Sequence, residues 1–200
     1  MRKWIGAACI LLGVICLICS VGFVVYNSWE SESAAKATES LLKDVQTVIE
    51  EQKAEQKIEQ PNISQTEMAT VKVGDYECIG ILSIPALEVE LPVLTDWSYA
   101  KLKKAPCLYY GSYYEKDFVI AAHDYKSHFG RLSQLQAGDI IVFSTTGGTE
   151  HYYEVVLLET LPKNATEEMI TAGFDLSLYT CTVGGGSRVT VRCNSVQKTN

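Results

Sequence analysis

The chain has 200 residues, with 17 Lys and Arg against 24 Asp and Glu, for a formal net charge of -7. That length suits one ordinary domain with appended segments. The basic residues are scattered among acids, which argues against a DNA or RNA partner, because neutralising a run of phosphates takes clustered Lys and Arg.

Residues 4–26 carry no charged side chain. As a helix rising about 1.5 Å per residue, that run reaches roughly 35 Å, enough to cross a hydrocarbon core with some tilt. Arg2 and Lys3 precede it, and Glu30 and Glu32 follow it. The positive-inside rule then predicts a cytoplasmic N-terminus and an extracytoplasmic remainder. A cleaved signal peptide is the competing reading, but its apolar core spans only about 7 to 15 residues, and no convincing small-x-small site closes this run. Cys16 and Cys19 follow Ile15 and Ile18 rather than the small residue that lipidation requires. Residues 1–26 are therefore expected to be a cytoplasmic tip and a single transmembrane helix.

Residues 27–71 are expected to form a helical stalk and linker. Glu, Lys, Ala and Gln dominate up to residue 60, and Leu41, Val45 and Val48 recur at helical spacing with Leu42 and Ile49 beside them. The stripe lasts barely two heptads, so a solvated helix that supplies reach is preferred over a coiled coil. Pro61, Asn62 and the polar residues through Thr70 end the helix. Asn62-Ile63-Ser64 and Asn164-Ala165-Thr166 match the glycosylation pattern, which chance produces often.

The pattern from residue 72 to 200 is that of strands. Short β-branched and aromatic runs fall at 78–84, 118–122, 140–144, 151–158, 176–181 and 188–192. Gly147-Gly148 marks a hairpin between two of them, and Leu132 with Leu135 suggests one helical turn. Composition alone supports an all-β or α+β domain, and many short strands suggest a closed barrel.

The chemistry concentrates in residues 178–191, where a strand ends at Thr180-Cys181, a glycine turn follows, and a second strand opens with Arg188. Upstream, His123 stands just past the apolar run 119–122. A thiol beside an imidazole is a workable nucleophile and acid/base pair, since imidazole protonates a leaving amine and later takes a proton from the incoming nucleophile. Arg188 adds a permanently charged fork of donors for a substrate carbonyl or an oxyanion. His128 follows a polar turn, His151 opens a strand with no signature nearby, and Arg192 lies four residues deeper on the face of Arg188. Cys78, Cys107 and Cys193 read as small core hydrophobes. Adjacent extended residues point to opposite faces, so Asp124 is not the default partner of His123.

These residues resemble the sortase family, whose signature is a Thr-x-Thr-Cys-like strand end, an Arg a short loop later and a His upstream. The resemblance spans roughly residues 76–195 and matches Thr180, Cys181, Arg188 and His123, while Leu178 stands where many members have the first Thr. It implies a mainly β fold: a closed, mainly antiparallel barrel of about eight strands with short helices. It also implies a cysteine transpeptidase that cuts an LPxTG-like sorting motif near the C-terminus of an exported protein. The acyl part would be held as a thioester on Cys181 and passed to an amine, attaching surface proteins to the cell wall.

By the same resemblance, Thr180 helps form the oxyanion site, and residues 161–173 match the loop that reads the motif. A peptidoglycan precursor or a pilin lysine would supply the amine. The Asp-Pro-aromatic lid of many pilus-building members is missing, since Asp96-Trp97 lacks the proline. No cofactor or metal is expected: Glu167, Glu168 and Asp175 read as a solvated acidic surface. Two other classes stay open, a thiol hydrolase or peptidase on the same scaffold and a non-catalytic, stalked wall-binding β-barrel.

Overall fold

The computed structural model describes residues 2–56, 68–182 and 184–198. The linker expected around Pro61, the Asn62-Ile63-Ser64 pattern and Val183 of the glycine turn lie outside the described residues. The chain divides into two compact units, Met1–Ser33 and Ala34–Asn200.

The first unit is helical and belongs to a helix α1 that runs Arg2–Gln56. Its apolar side chains from Ile10 to Trp29 are exposed, and the helix is long and apolar enough to cross a membrane.

Among the described residues, the second unit takes the rest of α1 and nine strands: β1 (Val71–Val73), β2 (Tyr76–Ile84), β3 (Val89–Leu94), β4 (Cys107–Tyr110), β5 (Phe118–Ala121), β6 (Ile140–Thr145), β7 (Glu150–Pro162), β8 (Leu176–Cys181) and β9 (Ser187–Val196). Their order is β1-β2-β3-β4-β5-β8-β9-β7-β6, and β6 returns to pair with β2. β2 through β6 thus close an eight-strand barrel, with β1 appended to β2. Two pairings are parallel, β3 with β4 and β5 with β8, and the others are antiparallel. At the closing seam a Cβ on Gly80 would lie 2.3 Å from the Ser144 carbonyl oxygen, so only glycine lets the strands meet there.

Three strands escape a reading of the sequence. β1 and β4 are too short to show a period, and β3 carries Pro92. Pro92 is tolerated because β4 pairs with β3 only at Leu94, leaving that edge of Pro92 without a ladder partner. The turn expected at Leu132 is a single 3-10 turn, Leu132–Gln134.

The barrel interior is filled by Leu82, Val93, Phe118, Ile120, Phe143, Leu178 and Val191 with their neighbours. A second apolar layer lies outside it. Leu41, Val45 and Ile49 of α1 pack against Val71, Cys78, Ile81, Leu94, Leu102, Cys107 and Ala121. The stripe read above as a solvated helix is instead buried, with Val45 at 0% exposure. The physical reason lies in the strands: β5 is buried at every position and β2 at five consecutive ones, so both faces of the sheet there need cover.

Candidate active site

Strand register assembles the site. β5 and β8 run parallel, with Ala121 opposite Tyr179. Two residues further along each chain stand His123 and Cys181. The Ala122 N–H donates to the Tyr179 carbonyl at 3.1 Å, carrying the pairing one step past the end of β5. On the other side β8 and β9 run antiparallel, with Cys181 opposite Arg188. Cys181 therefore sits between His123 and Arg188, and side-chain alternation turns all three to one face.

The turn joining β8 to β9 holds that arrangement. Gly184 and Gly185 adopt φ of 85° and 71°, a left-handed conformation that other residues resist. The Gly185 N–H donates to the Thr182 carbonyl at 2.7 Å, and the Ser187 N–H to the Thr182 hydroxyl at 3.1 Å. Arg188 bends back over this turn, its Nη1 donating to the carbonyls of Gly185 (3.2 Å) and Ser187 (3.0 Å). These bonds fix one end of a planar five-donor fork beside the thiol.

His123, Cys181 and Arg188 line one cavity of about 150 Å³. Cys181 and Arg188 are half-buried. Cys78, Cys107 and Cys193 are free thiols at 0% exposure, and burial pushes each of them up to about 12. Such thiols stay protonated and unreactive at neutral pH.

Thr180 does not line the cavity. Its side chain is buried on the opposite face of β8, where the hydroxyl donates to the Ala122 carbonyl at 2.8 Å. Strand alternation thus points its hydroxyl away from the face of Cys181.

One wall of the cavity is aromatic and was missed in the sequence. Tyr179 meets Tyr109 edge to face at 5.2 Å, Tyr109 lies 5.8 Å from Trp97, and Trp97 meets Tyr99 at 5.9 Å. All four rings line the cavity. Tyr179 was within reach of sequence reasoning, because it lies two residues before Cys181 on a strand and so shares its face. Trp97, Tyr99 and Tyr109 come from segments near β3 and β4 whose pairing leaves no periodic signal.

The opposite wall is Pro162, Lys163, Ala165 and the short helix α3 (Thr166–Ile170), within the segment 161–173. Arg192 anchors it from below. Its guanidinium is 1% exposed and donates to Glu159 Oε1 (2.8 Å), the Met169 carbonyl (3.1 Å), the Glu168 carbonyl (2.6 Å) and Ser177 Oγ (2.9 Å). A buried guanidinium is tolerable here because an anion and three neutral acceptors replace its water. Asp175 accepts from the Ser195 N–H (2.7 Å) and hydroxyl (2.8 Å). Among the described residues no group of three His, Cys, Asp or Glu side chains is placed to hold a metal ion.

A family model described as Sortase domain matches residues 82–196. The chain belongs to the sortase family, whose members are generally cysteine transpeptidases. Among solved structures, sortase C1 of Streptococcus suis is 26% identical over 61% of this chain and 74% of that one, with a TM-score of 0.52. A Clostridium perfringens sortase D5 transpeptidase is 18% identical, covering 81% of this chain and 99% of that one, at a TM-score of 0.61. Sortase C of Streptococcus pneumoniae is 21% identical over 85% and 90%, at 0.55. The last two likenesses speak for the fold alone. No curated protein matches the sequence.

Proposed function

We propose that this chain is a membrane-anchored cysteine transpeptidase that cleaves an LPxTG-like sorting motif in exported proteins and joins the acyl part to an amine. The observation that carries this reading is the register of Cys181 with Arg188 on one side and with the segment leading to His123 on the other.

In the reaction, the Cys181 sulfur attacks the scissile Thr-Gly carbonyl carbon as a thiolate. The carbonyl oxygen takes the negative charge, and the Arg188 guanidinium donates to it or to a neighbouring substrate carbonyl. Collapse breaks the C–N bond, and the imidazolium of His123 protonates the departing glycine amine. A thioester is left on Cys181. The acceptor amine then attacks the thioester carbon and gives a proton to His123. The C–S bond breaks, which restores the thiolate and imidazolium and leaves a new amide. Thr180 serves in this scheme as a positioning residue, since its hydroxyl ties the strand of the nucleophile to the residue before His123.

The apolar helix anchors the enzyme, with Arg2 and Lys3 holding the N-terminus in the cytoplasm and the barrel outside. Exported proteins bearing the motif are the acyl donors. The acceptor is the amine of a peptidoglycan precursor or a pilin lysine, and the product is a surface protein attached to the cell wall.

Intact mass of the full chain in detergent micelles tests this, for wild type and Cys181→Ala, with LPxTG-type peptides and with or without an amine. The expected result is an acyl adduct on wild type only, discharged by the amine into a ligated peptide. An adduct that water removes equally fast with or without amine would identify a hydrolase. Wild type without an adduct on any peptide would overturn the enzymatic reading.

A further inference from the structure

The buried stripe of α1 reads Ala34, Thr38, Leu41, Val45 and Ile49. Thr38 is its polar member, at 4% exposure. Its Oγ1 lies 2.7 Å from His128 Nε2, 2.5 Å from the Lys104 carbonyl oxygen and 2.9 Å from the Ala34 carbonyl oxygen. A hydroxyl has one proton, and here the two carbonyls are the acceptors for it. With His128 assigned the tautomer protonated on Nε2, the ring donates to the hydroxyl oxygen while the hydroxyl proton goes to the carbonyls.

The two partners of Thr38 outside α1 belong to segments that flank the catalytic cavity. Lys104 follows α2 (Tyr99–Leu102), from which Tyr99 and Leu102 line the cavity. His128 belongs to the turn that begins with His123. That turn closes on itself through the Phe129 N–H to the His123 carbonyl (3.2 Å) and the His128 and Gly130 N–H groups to the Tyr125 carbonyl (both 2.9 Å). The rings continue the connection: His123 lies 4.9 Å from Tyr125, and Tyr125 lies 5.4 Å from His128. His128 is 0% exposed and takes no place in the cavity lining.

We propose that Thr38 and His128 are positioning residues for His123, so that α1 is a working part of the catalytic apparatus rather than a spacer. One hydroxyl on the helix holds the two segments that flank the cavity, and the His123–Tyr125–His128 contacts pass its position to the acid/base. The inference rests on reading His123 as that acid/base.

The test uses the full chain in detergent micelles with its histidines labelled with 15N. The chain has 3 histidines, so each ring can be followed by NMR. Wild type, Thr38→Ser, Thr38→Val and His128→Phe are compared for the His123 titration midpoint, melting temperature, and kcat and KM of amine-dependent transfer. Thr38→Val and His128→Phe should move the His123 midpoint by about half a pH unit or more. They should lower kcat about tenfold with KM held within about twofold, and Thr38→Ser should behave as wild type. The pair is approached from both sides so that one folded variant suffices. Earlier melting with the His123 midpoint and kcat unchanged would make the pair merely structural and overturn the proposal. If wild type transfers nothing to an amine, the enzymatic reading fails, while the substrate-free titration still decides whether Thr38 positions His123.

Discussion

Thr180 donates its hydroxyl to the carbonyl of Ala122 at 2.8 Å, joining the strand that ends in Cys181 to the residue before His123. The bond is buried, so Thr180→Val should leave the Ala122 carbonyl without a partner and cost about 1 to 2 kcal/mol of stability. In a positioning role the loss also appears in kcat, and Thr180→Ser restores both. Denaturant titration beside steady-state transfer kinetics checks this; a valine variant with wild-type kcat would remove Thr180 from the mechanism.

Arg188→Lys keeps the positive charge and removes the planar fork that bonds to Gly185 and Ser187. The expected outcome is a fall in kcat/KM of about a hundredfold, the scale of losing one oriented donor to an oxyanion. Its melting temperature should stay within a few degrees of wild type, because the side chain is half-buried at the barrel rim. A lysine variant with near wild-type kcat/KM would mean that charge alone suffices.

Val45 is fully buried between α1 and the outer face of the sheet, whereas Asp44 beside it is exposed. Val45→Ala should cost about 2 kcal/mol, and Asp44→Ala less than about 0.5. Thermal melts of the two variants read the difference directly. Equal melting temperatures would mean that the helix contributes nothing to the stability of the barrel.

Burial lowers the pKa of His128 to about 4, with the nearby His123 charge adding to the effect. In the unfolded chain the ring takes up a proton below about pH 6.5, and in the fold only below about 4. Between those values the unfolded state binds more protons, so stability falls as pH drops through that window and is flat above it. The contribution lost is roughly 3 kcal/mol. Burial also lowers His151, so the effect of His128 is isolated by subtracting the profile of His128→Phe from that of wild type. Parallel profiles would show that His128 carries a proton in the fold at mildly acidic pH.

The residues proposed for the site could be picked out from the order of residues along the chain. A cysteine at a strand end, two left-handed glycines in the following turn and an arginine opening the next strand are local features. His123 after an apolar run is local too. Each depends on period-2 alternation and turn chemistry, which a sequence displays directly. The outer apolar layer also left a trace, in the unbroken runs of β2 and β5 and in the stripe Leu41, Val45 and Ile49, although neither trace names the other as its partner.

What only the tertiary structure decided is which residues share a face or a neighbour across long stretches of chain. The face of Thr180, the aromatic wall from Trp97 to Tyr179, the anchoring of α3 by Arg192 and the meeting of Thr38 with His128 all follow from strand register and helix docking. These are set by many weak contacts between segments far apart in sequence, and a shift of one residue in register would send each side chain to the opposite face. The local pattern by itself marked Cys181, His123 and Arg188 as candidates, because propensity and turn geometry act over a few residues; the packing of distant segments determined how those residues are held together.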